Sequence, residues 1–186
     1  MCEIILPSMP TYVALLRGVN VGQNLLKMER LKELCAQIGM KNVRTYVQSG
    51  NVVFDGAGTA AKWAQALERK LAGETRLPVT LLVKTAAEMA SVLAANPFLK
   101  EKEIDATRLH VTFLQQTPEK SAVEALAKIK AGPDRFRWLG TEIYLHCPEG
   151  YGGSKLSNMA IERVLGVRAT TRNWNTMTKL CAMCQG

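Results

Sequence analysis

An α+β protein made of two similar βαββαβ halves is what this 186-residue sequence predicts. Three observations carry the prediction. Short apolar runs alternate with amphipathic helical stretches; a tight turn joins two strands in the middle of each half; and the element order restarts near residue 107.

In the first half, Tyr12–Arg17 reads as a buried strand and Gly18–Asn24 as the loop after it. A helix from about Lys27 to Ile38 puts Met28, Leu31, Leu34, Cys35 and Ile38 on one face, and Gly39 ends it. Val43–Val47 and Val52–Phe54 are strands joined through Gln48-Ser49-Gly50-Asn51, a hairpin in which Gly50 is expected to take a positive φ. Ala60, Trp63, Leu67 and Leu71 then mark a second helix, and Val79–Lys84 a further strand. Thr85 and Glu88 make a capping box for a helix that Pro97 stops.

The second half follows a charged connector. Leu109, Val111 and Phe113 alternate with Arg108, His110 and Thr112, the signature of a half-buried strand. Thr117 and Pro118 supply a cap and an N1 proline for a helix that Gly132-Pro133-Asp134 terminates. Phe136 and Trp138, then Ile143 and Leu145, form a hairpin around Gly140-Thr141. Ser154 is expected to cap a helix from Lys155 to Leu165, closed by Gly166. A short extended piece, Val167–Thr170, and a helix from about Asn173 to Cys184 complete the chain. A βαββαβ order is that of the ferredoxin-like plait. The expected fold is therefore two tandem ferredoxin-like plaits, over residues 11–98 and 107–186, with an extra C-terminal helix. Residues 1–10 are expected to be an extension and 99–106 the connector.

Apolar residues make up 47% of the chain and charged residues 22%, enough for a core that needs no disulfide or metal. The five cysteines are an odd number, the opening residues lack a signal-peptide pattern, and no apolar run is long enough to cross a bilayer. A cytoplasmic protein without a membrane partner is expected. The net charge is +8 and spread along the chain, which favours an anionic partner such as a phosphate-bearing ligand or nucleic acid.

Four polar segments exceed what folding alone explains. Arg17-Gly18-Val19-Asn20-Val21-Gly22 lies between a strand and a helix, where glycines and amides can cradle an anion, although it matches neither a Walker nor a dinucleotide motif. Gln48, Ser49 and Asn51 sit at a hairpin tip that needs no glutamine. Lys155, in the stretch Tyr151–Asn158, is electrostatically misplaced in a first helical turn unless it answers an anion. Arg172, Asn173 and Asn175 flank Trp174 at a helix start that needs only one cap. The Cys181/Cys184 pair stands at a helix C-terminus without a second pair, so buried apolar cysteines are expected; no metal or cofactor is. His110, His146 and Tyr144 share the polar phase of their strands, a face that either stacks bases or is hidden by packing.

Ala14–Gly22, Arg44–Phe54 and Thr171–Thr176 together resemble the signatures of an uncharacterised bacterial family, the domain of unknown function 1697 family. The resemblance spans about Thr11 to Leu180 and implies two ferredoxin-like plaits, with no established activity, substrate or cofactor. The family's glycine- and lysine-rich stretch after Gly22 is reduced here to Gln23-Asn24-Leu25-Leu26-Lys27.

The leading expectation is a protein that binds a phosphorylated molecule or nucleic acid in a basic, amide-rich pocket between the plaits. Arg17, Asn20, Lys155 and Arg172 would contact anionic oxygens, with Gln48, Ser49 and Asn51 positioning them. One alternative is an enzyme acting on a small phosphorylated or amide-bearing metabolite, with Lys155 or a histidine moving the proton. The other is an interaction module without a ligand.

Overall fold

The computed structural model describes residues 9–20, 25–74 and 79–186. Cys2, the first eight residues and the Val21–Asn24 part of the first loop lie outside the described residues. The chain divides into two compact units, Met1–Ala87 and Glu88–Gly186.

The first unit contains β1 (Thr11–Arg17), α1 (Met28–Gln37), β2 (Lys41–Tyr46), β3 (Asn51–Asp55), α2 (Ala60–Ala72) and β4 (Thr80–Thr85). Its strands form one antiparallel sheet in the order β2-β3-β1-β4. β1 is central, and its Tyr12–Leu16 run is buried in both phases, as a continuous apolar strand requires. Ala14, Leu16 and Phe54 face Leu31, Leu34, Leu67 and Leu71 of the two helices, forming the core. Each fully buried leucine contributes roughly 1.5–3 kcal/mol. Thr59 caps α2 by accepting from the Lys62 amide. The Trp63 ring packs edge-on against Phe54, 5.6 Å between centroids, and lies over Gly56, where a Cβ would come within 2.5 Å of it.

The second unit contains most of α3 (Ala86–Ala94), then β5 (Leu109–Leu114), α4 (Lys120–Ala127), β6 (Arg135–Leu139), β7 (Glu142–His146), α5 (Asn158–Leu165), β8 (Ala169–Asn173) and α6 (Trp174–Met183). Its sheet is again antiparallel, in the order β6-β7-β5-β8. Leu114, Ile143, Leu145 and Ala169 meet Leu126, Ile161 and Leu165 of α4 and α5 in a second core.

Several expectations are corrected. The first half was expected to run to residue 98, but the division falls at 87/88, because α3 and the turn after it are held to the second sheet. Tyr144 Oη donates to the Val92 carbonyl at 2.9 Å, and Phe98 is fully buried beside His146. Tyr144 is consequently buried rather than presented for base stacking. The helix expected from Thr117-Pro118 starts at Lys120, with Glu119 as first acceptor for the Ala122 and Val123 amides, and Pro118 is buried instead. The helix expected from Lys155 starts at Asn158, capped by Ser157; Ser154 closes only a turn, accepting from the Leu156 amide at 3.0 Å. Arg172 belongs to β8, not to a helix start.

Candidate functional site

In the first unit, the loop after β1 and the β2–β3 hairpin tip are built against one another. The Leu16 amide donates to the Gly50 carbonyl at 2.8 Å, which latches the end of β1 to the tip. Gly50 has φ +71°, and a Cβ there would stand 2.7 Å from both Leu16 Cβ and Val19 Cγ2. Only glycine allows both the left-handed backbone and that approach. Asn20, itself left-handed at φ +55°, bridges the two segments. Its Nδ2 donates to the Gln48 carbonyl and its Oδ1 accepts from the Leu26 amide, each at 2.8 Å. Asn51 is fully buried and donates to Tyr46 O at 3.2 Å and Ser49 Oγ at 2.8 Å, fixing the tip from beneath.

Asn20, Gln48, Ser49 and Asn51 thus meet at one corner of the first unit, with Arg17 ending β1 three residues before Asn20. Arg17 and Asn20 are half-buried, while Gln48 and Ser49 are exposed. The Gln48 side chain makes no hydrogen bond among the described residues, so the amide that a turn does not need is presented outward. Val47, next to it, is 53% exposed and left-handed at φ +50°. A β-branched residue in that region is a true outlier, costing on the order of 1–3 kcal/mol. Nothing in the sequence signals this strain.

The sequence-predicted residues of the second unit have other surroundings. Asn173 is the N-cap of α6, its Oδ1 accepting from the Thr176 amide at 2.8 Å, which accounts for it structurally. Asn175 is exposed in the first turn of α6, behind the buried Trp174. Arg172 is buried, and its Nη1 donates to Thr170 Oγ1 at 2.8 Å and to the Thr171 carbonyl at 2.9 Å. Burial pulls its guanidinium down to about 10, so these acceptors must offset the cost of a desolvated charge. Lys155 is exposed, three residues before α5, and lines a hollow of about 290 Å³ with Asp134, Glu149, Gly153 and Ser154. Its supposed conflict with a helix N-terminus therefore does not exist.

A hydroxyl network that the sequence did not reveal joins β5, β8 and α5. Thr171 Oγ1 lies 2.8 Å from Asn158 Oδ1, 2.7 Å from Thr112 Oγ1 and 3.1 Å from Tyr151 Oη. Since the Asn158 oxygen only accepts, Thr171 spends its one proton there, and Tyr151 and Thr112 must both donate to Thr171. With its proton on Asn158 and its lone pairs facing Thr112 and Tyr151, Thr171 is a structural hub of the second unit. His110 stacks on Tyr151 at 4.9 Å, and burial lowers its pKa. Thr112 and Thr171 are cross-strand partners, a register no single-sequence pattern discloses; Tyr151 and Asn158 stood in a polar stretch in which only Lys155 drew attention.

His146 accepts from Arg135 Nη2 at 3.2 Å, and Arg135 also pairs with Glu101 at 2.8 Å. The guanidinium carbons of Arg135 and Arg137 lie 5.1 and 5.5 Å from the Phe98 ring centroid. Burial holds Cys147 up at about 11 and Cys35 up at about 12, which leaves both thiols poor nucleophiles and poor metal ligands. Cys181 is raised for the same reason. Among the described residues, no cluster of three or more His, Cys, Asp or Glu could hold a metal, and no helix is long and apolar enough to cross a membrane.

A family model described as "Protein of unknown function (DUF1697)" matches residues 9–144. No curated protein matches the chain. Among solved structures, a conserved bacterial protein, SP0830 from Streptococcus pneumoniae, aligns over 96% of this chain and 100% of its own, with a TM-score of 0.76 and 20% identity. At that identity the likeness concerns the fold alone.

Proposed function

The chain belongs to the DUF1697 family, a family of unknown function, and from that premise we propose that it binds a phosphorylated small molecule or nucleic-acid phosphate at the corner where the β1–α1 loop meets the β2–β3 tip. Arg17 supplies the charge, Gln48 and Ser49 the hydrogen bonds, and Asn20 and Asn51 hold these groups in place. Each half is taken as a ferredoxin-like plait, a reading supported by its βαββαβ order and its strand order. The cytoplasm is the proposed compartment, in keeping with buried free thiols such as Cys35.

One observation carries the binding reading: the second unit provides an internal control. There the Leu114 amide donates to the Thr141 carbonyl at 2.8 Å, the counterpart of the Leu16–Gly50 latch. Yet that hairpin turns in two residues, Gly140 and Thr141, between the Leu139–Glu142 pair. The first unit spends four residues, Val47–Gly50, between Tyr46 and Asn51. The latch, which is all the architecture needs, is made by both. The outward glutamine, the serine and the strained valine are additional, and strain of this kind is characteristic of ligand sites.

The test is to replace Val47–Gly50 by Asn-Gly, the preferred two-residue tip, which keeps the Tyr46–Asn51 pairing and a glycine at the latch. Thermal-shift titration with inorganic phosphate, mononucleotides and a short oligonucleotide then compares this variant, Gln48→Ala and Arg17→Ala with the parent. The parent should be stabilised in a salt-sensitive way and the variants measurably less. Stabilisation that the tip replacement leaves undiminished, or that ignores salt, would exclude the corner as the site.

A further inference from the structure

A second feature, independent of that corner, lies in the second unit. Between the end of α4, the loop before β6 and the Leu156 region is a cleft of about 550 Å³. That is within the size range of small-molecule sites, about 300–1,000 Å³. Its walls are chemically divided. Ile129 and Phe136, both partly exposed, give a small apolar surface, Lys130 and Arg137 line it as cations, and Asp134 is its single carboxylate.

The charged groups differ in how far they are committed elsewhere. Arg135, which also touches the cleft, is occupied by Glu101 and His146. Arg137 has no carboxylate partner among the described residues; its Nη1 donates only to the Phe136 carbonyl, at 3.1 Å, and its guanidinium rests over Phe98. Lys130 and the Asp134 carboxylate likewise have no ion-pair or hydrogen-bond partner among the described residues. Both Lys130 and Arg137 are exposed, so neither is held for the sake of the core. β6 is an edge strand, and edge strands carry charge to discourage pairing. That explains Arg137 by itself but not the apolar hollow beside it, nor a lysine from a different element converging on it.

We infer that this cleft binds a nucleotide-class ligand, with its phosphate on Lys130 and Arg137, its base against the partly exposed Ile129 and Phe136, and an N–H donor of the base on Asp134. The three requirements are separable. A phosphate is drawn by two cations that make no ion pair among the described residues and are suited to charge-assisted hydrogen bonds. A planar body has one aromatic and one aliphatic side chain, Phe136 and Ile129, to lie against. An uncommitted carboxylate in a cleft of cations selects a donor-bearing base over a purely anionic or purely apolar molecule.

The probes are adenosine monophosphate, adenosine, inorganic phosphate and a short single-stranded oligonucleotide, titrated into the full chain at low salt. Calorimetry gives affinities, and amide chemical shifts locate the contact. Adenosine monophosphate is expected to bind more tightly than adenosine or phosphate, with shifts at Lys130, Phe136 and Leu156. Lys130→Glu and Arg137→Glu should each weaken it by roughly tenfold or more, while Arg137→Lys keeps part of the affinity. Asp134→Asn should narrow the preference for adenosine monophosphate over ribose phosphate. Lys62→Ala, an exposed lysine of α2 outside both sites, should leave these affinities unchanged, and amide shifts at Gln48 and Ser49 instead of Lys130 and Phe136 would place the binding at the corner. If the oligonucleotide binds more tightly at the same amides, the nucleotide recognised is part of a strand, and the site stands. The inference fails if phosphate or adenosine alone binds as well as the nucleotide. It also fails if charge reversal at Lys130 and Arg137 leaves affinity intact, or if no probe shifts these amides.

Discussion

Gly50→Ala tests the link between the fold and the corner most directly. Two costs follow from the coordinates. A left-handed φ of +71° penalises any residue with a Cβ by roughly 1–2 kcal/mol. The new methyl would also sit 2.7 Å from Leu16 Cβ and Val19 Cγ2 and 3.3 Å from the Leu16 carbonyl. Leu16 is buried in the central strand and cannot yield, so overpacking adds roughly 1–3 kcal/mol. The expected loss is about 2–5 kcal/mol, concentrated in the first unit. Gly132→Ala is the matched control, for its φ is +64° and a Cβ there meets nothing within 4 Å. It should cost only the backbone part, about 1–2 kcal/mol. Urea titration gives the two losses, and hydrogen exchange at β1 and β3 amides locates the first. Equal destabilisation by the two substitutions would refute the claim that close approach of the loop and tip shapes this corner.

Thr171→Val preserves shape but removes the hub that three side chains use, so the second unit should lose roughly 2–3 kcal/mol in urea titration, a hydrogen bond being worth about 1 kcal/mol. Asn173→Ala deletes the α6 cap and should cost about 1 kcal/mol by the same measurement, with fraying seen in the exchange of the Thr176 amide. Both histidines have lowered pKa values, mainly from burial, with Arg135 adding to the effect at His146. The unfolded chain therefore binds more protons just below the ordinary histidine value of 6.5, and stability should fall as pH drops below it towards the folded values. Urea midpoints measured from about pH 7.5 to about pH 5 should decline, and His110→Gln with His146→Gln should flatten the curve in that window. Cys35, pushed up to about 12 by burial, should resist alkylation at neutral pH until the first unit is unfolded.

What the sequence made legible follows from the range of the interactions involved. Strand and helix order was readable because burial imposes local periods, as in Leu31, Leu34 and Cys35 of α1 or Leu67 and Leu71 of α2. The left-handed Gly50 was readable from turn chemistry alone. Helix starts in the second unit were misplaced because two plausible caps lay close together: Ser154 and Ser157 both accept a backbone amide, but only Ser157 opens a helix. Reading Ser154 as the cap put Lys155 inside a helix, whereas it lies three residues before α5. Arg172 was misjudged for a related reason, since β8 extends through Asn173 and turns its guanidinium into buried surroundings. The Thr112–Thr171 contact depends on strand register between segments 59 residues apart, which composition and spacing do not encode.

The two corners separate what the architecture requires from what one of them adds to it. In both units the last amide of the central strand region closes on the hairpin tip, Leu16 on Gly50 and Leu114 on Thr141, so this hydrogen bond is a requirement of the βαββαβ path. A requirement shared by both corners exerts the same pressure on both. It therefore cannot be the cause of what differs between them. The first corner carries an exposed Gln48, a left-handed Val47 and an asparagine that ties the loop to the tip; the second closes with Gly140 and Thr141 alone. Folding already has a shorter, less strained solution in the same chain, and the proposed binding role gives the longer tip its reason. The cleft beside β6 follows the same logic in the other direction. A charged edge strand accounts for Arg137 but not for Lys130, Asp134 and the partly exposed Ile129 and Phe136 that line one hollow with it.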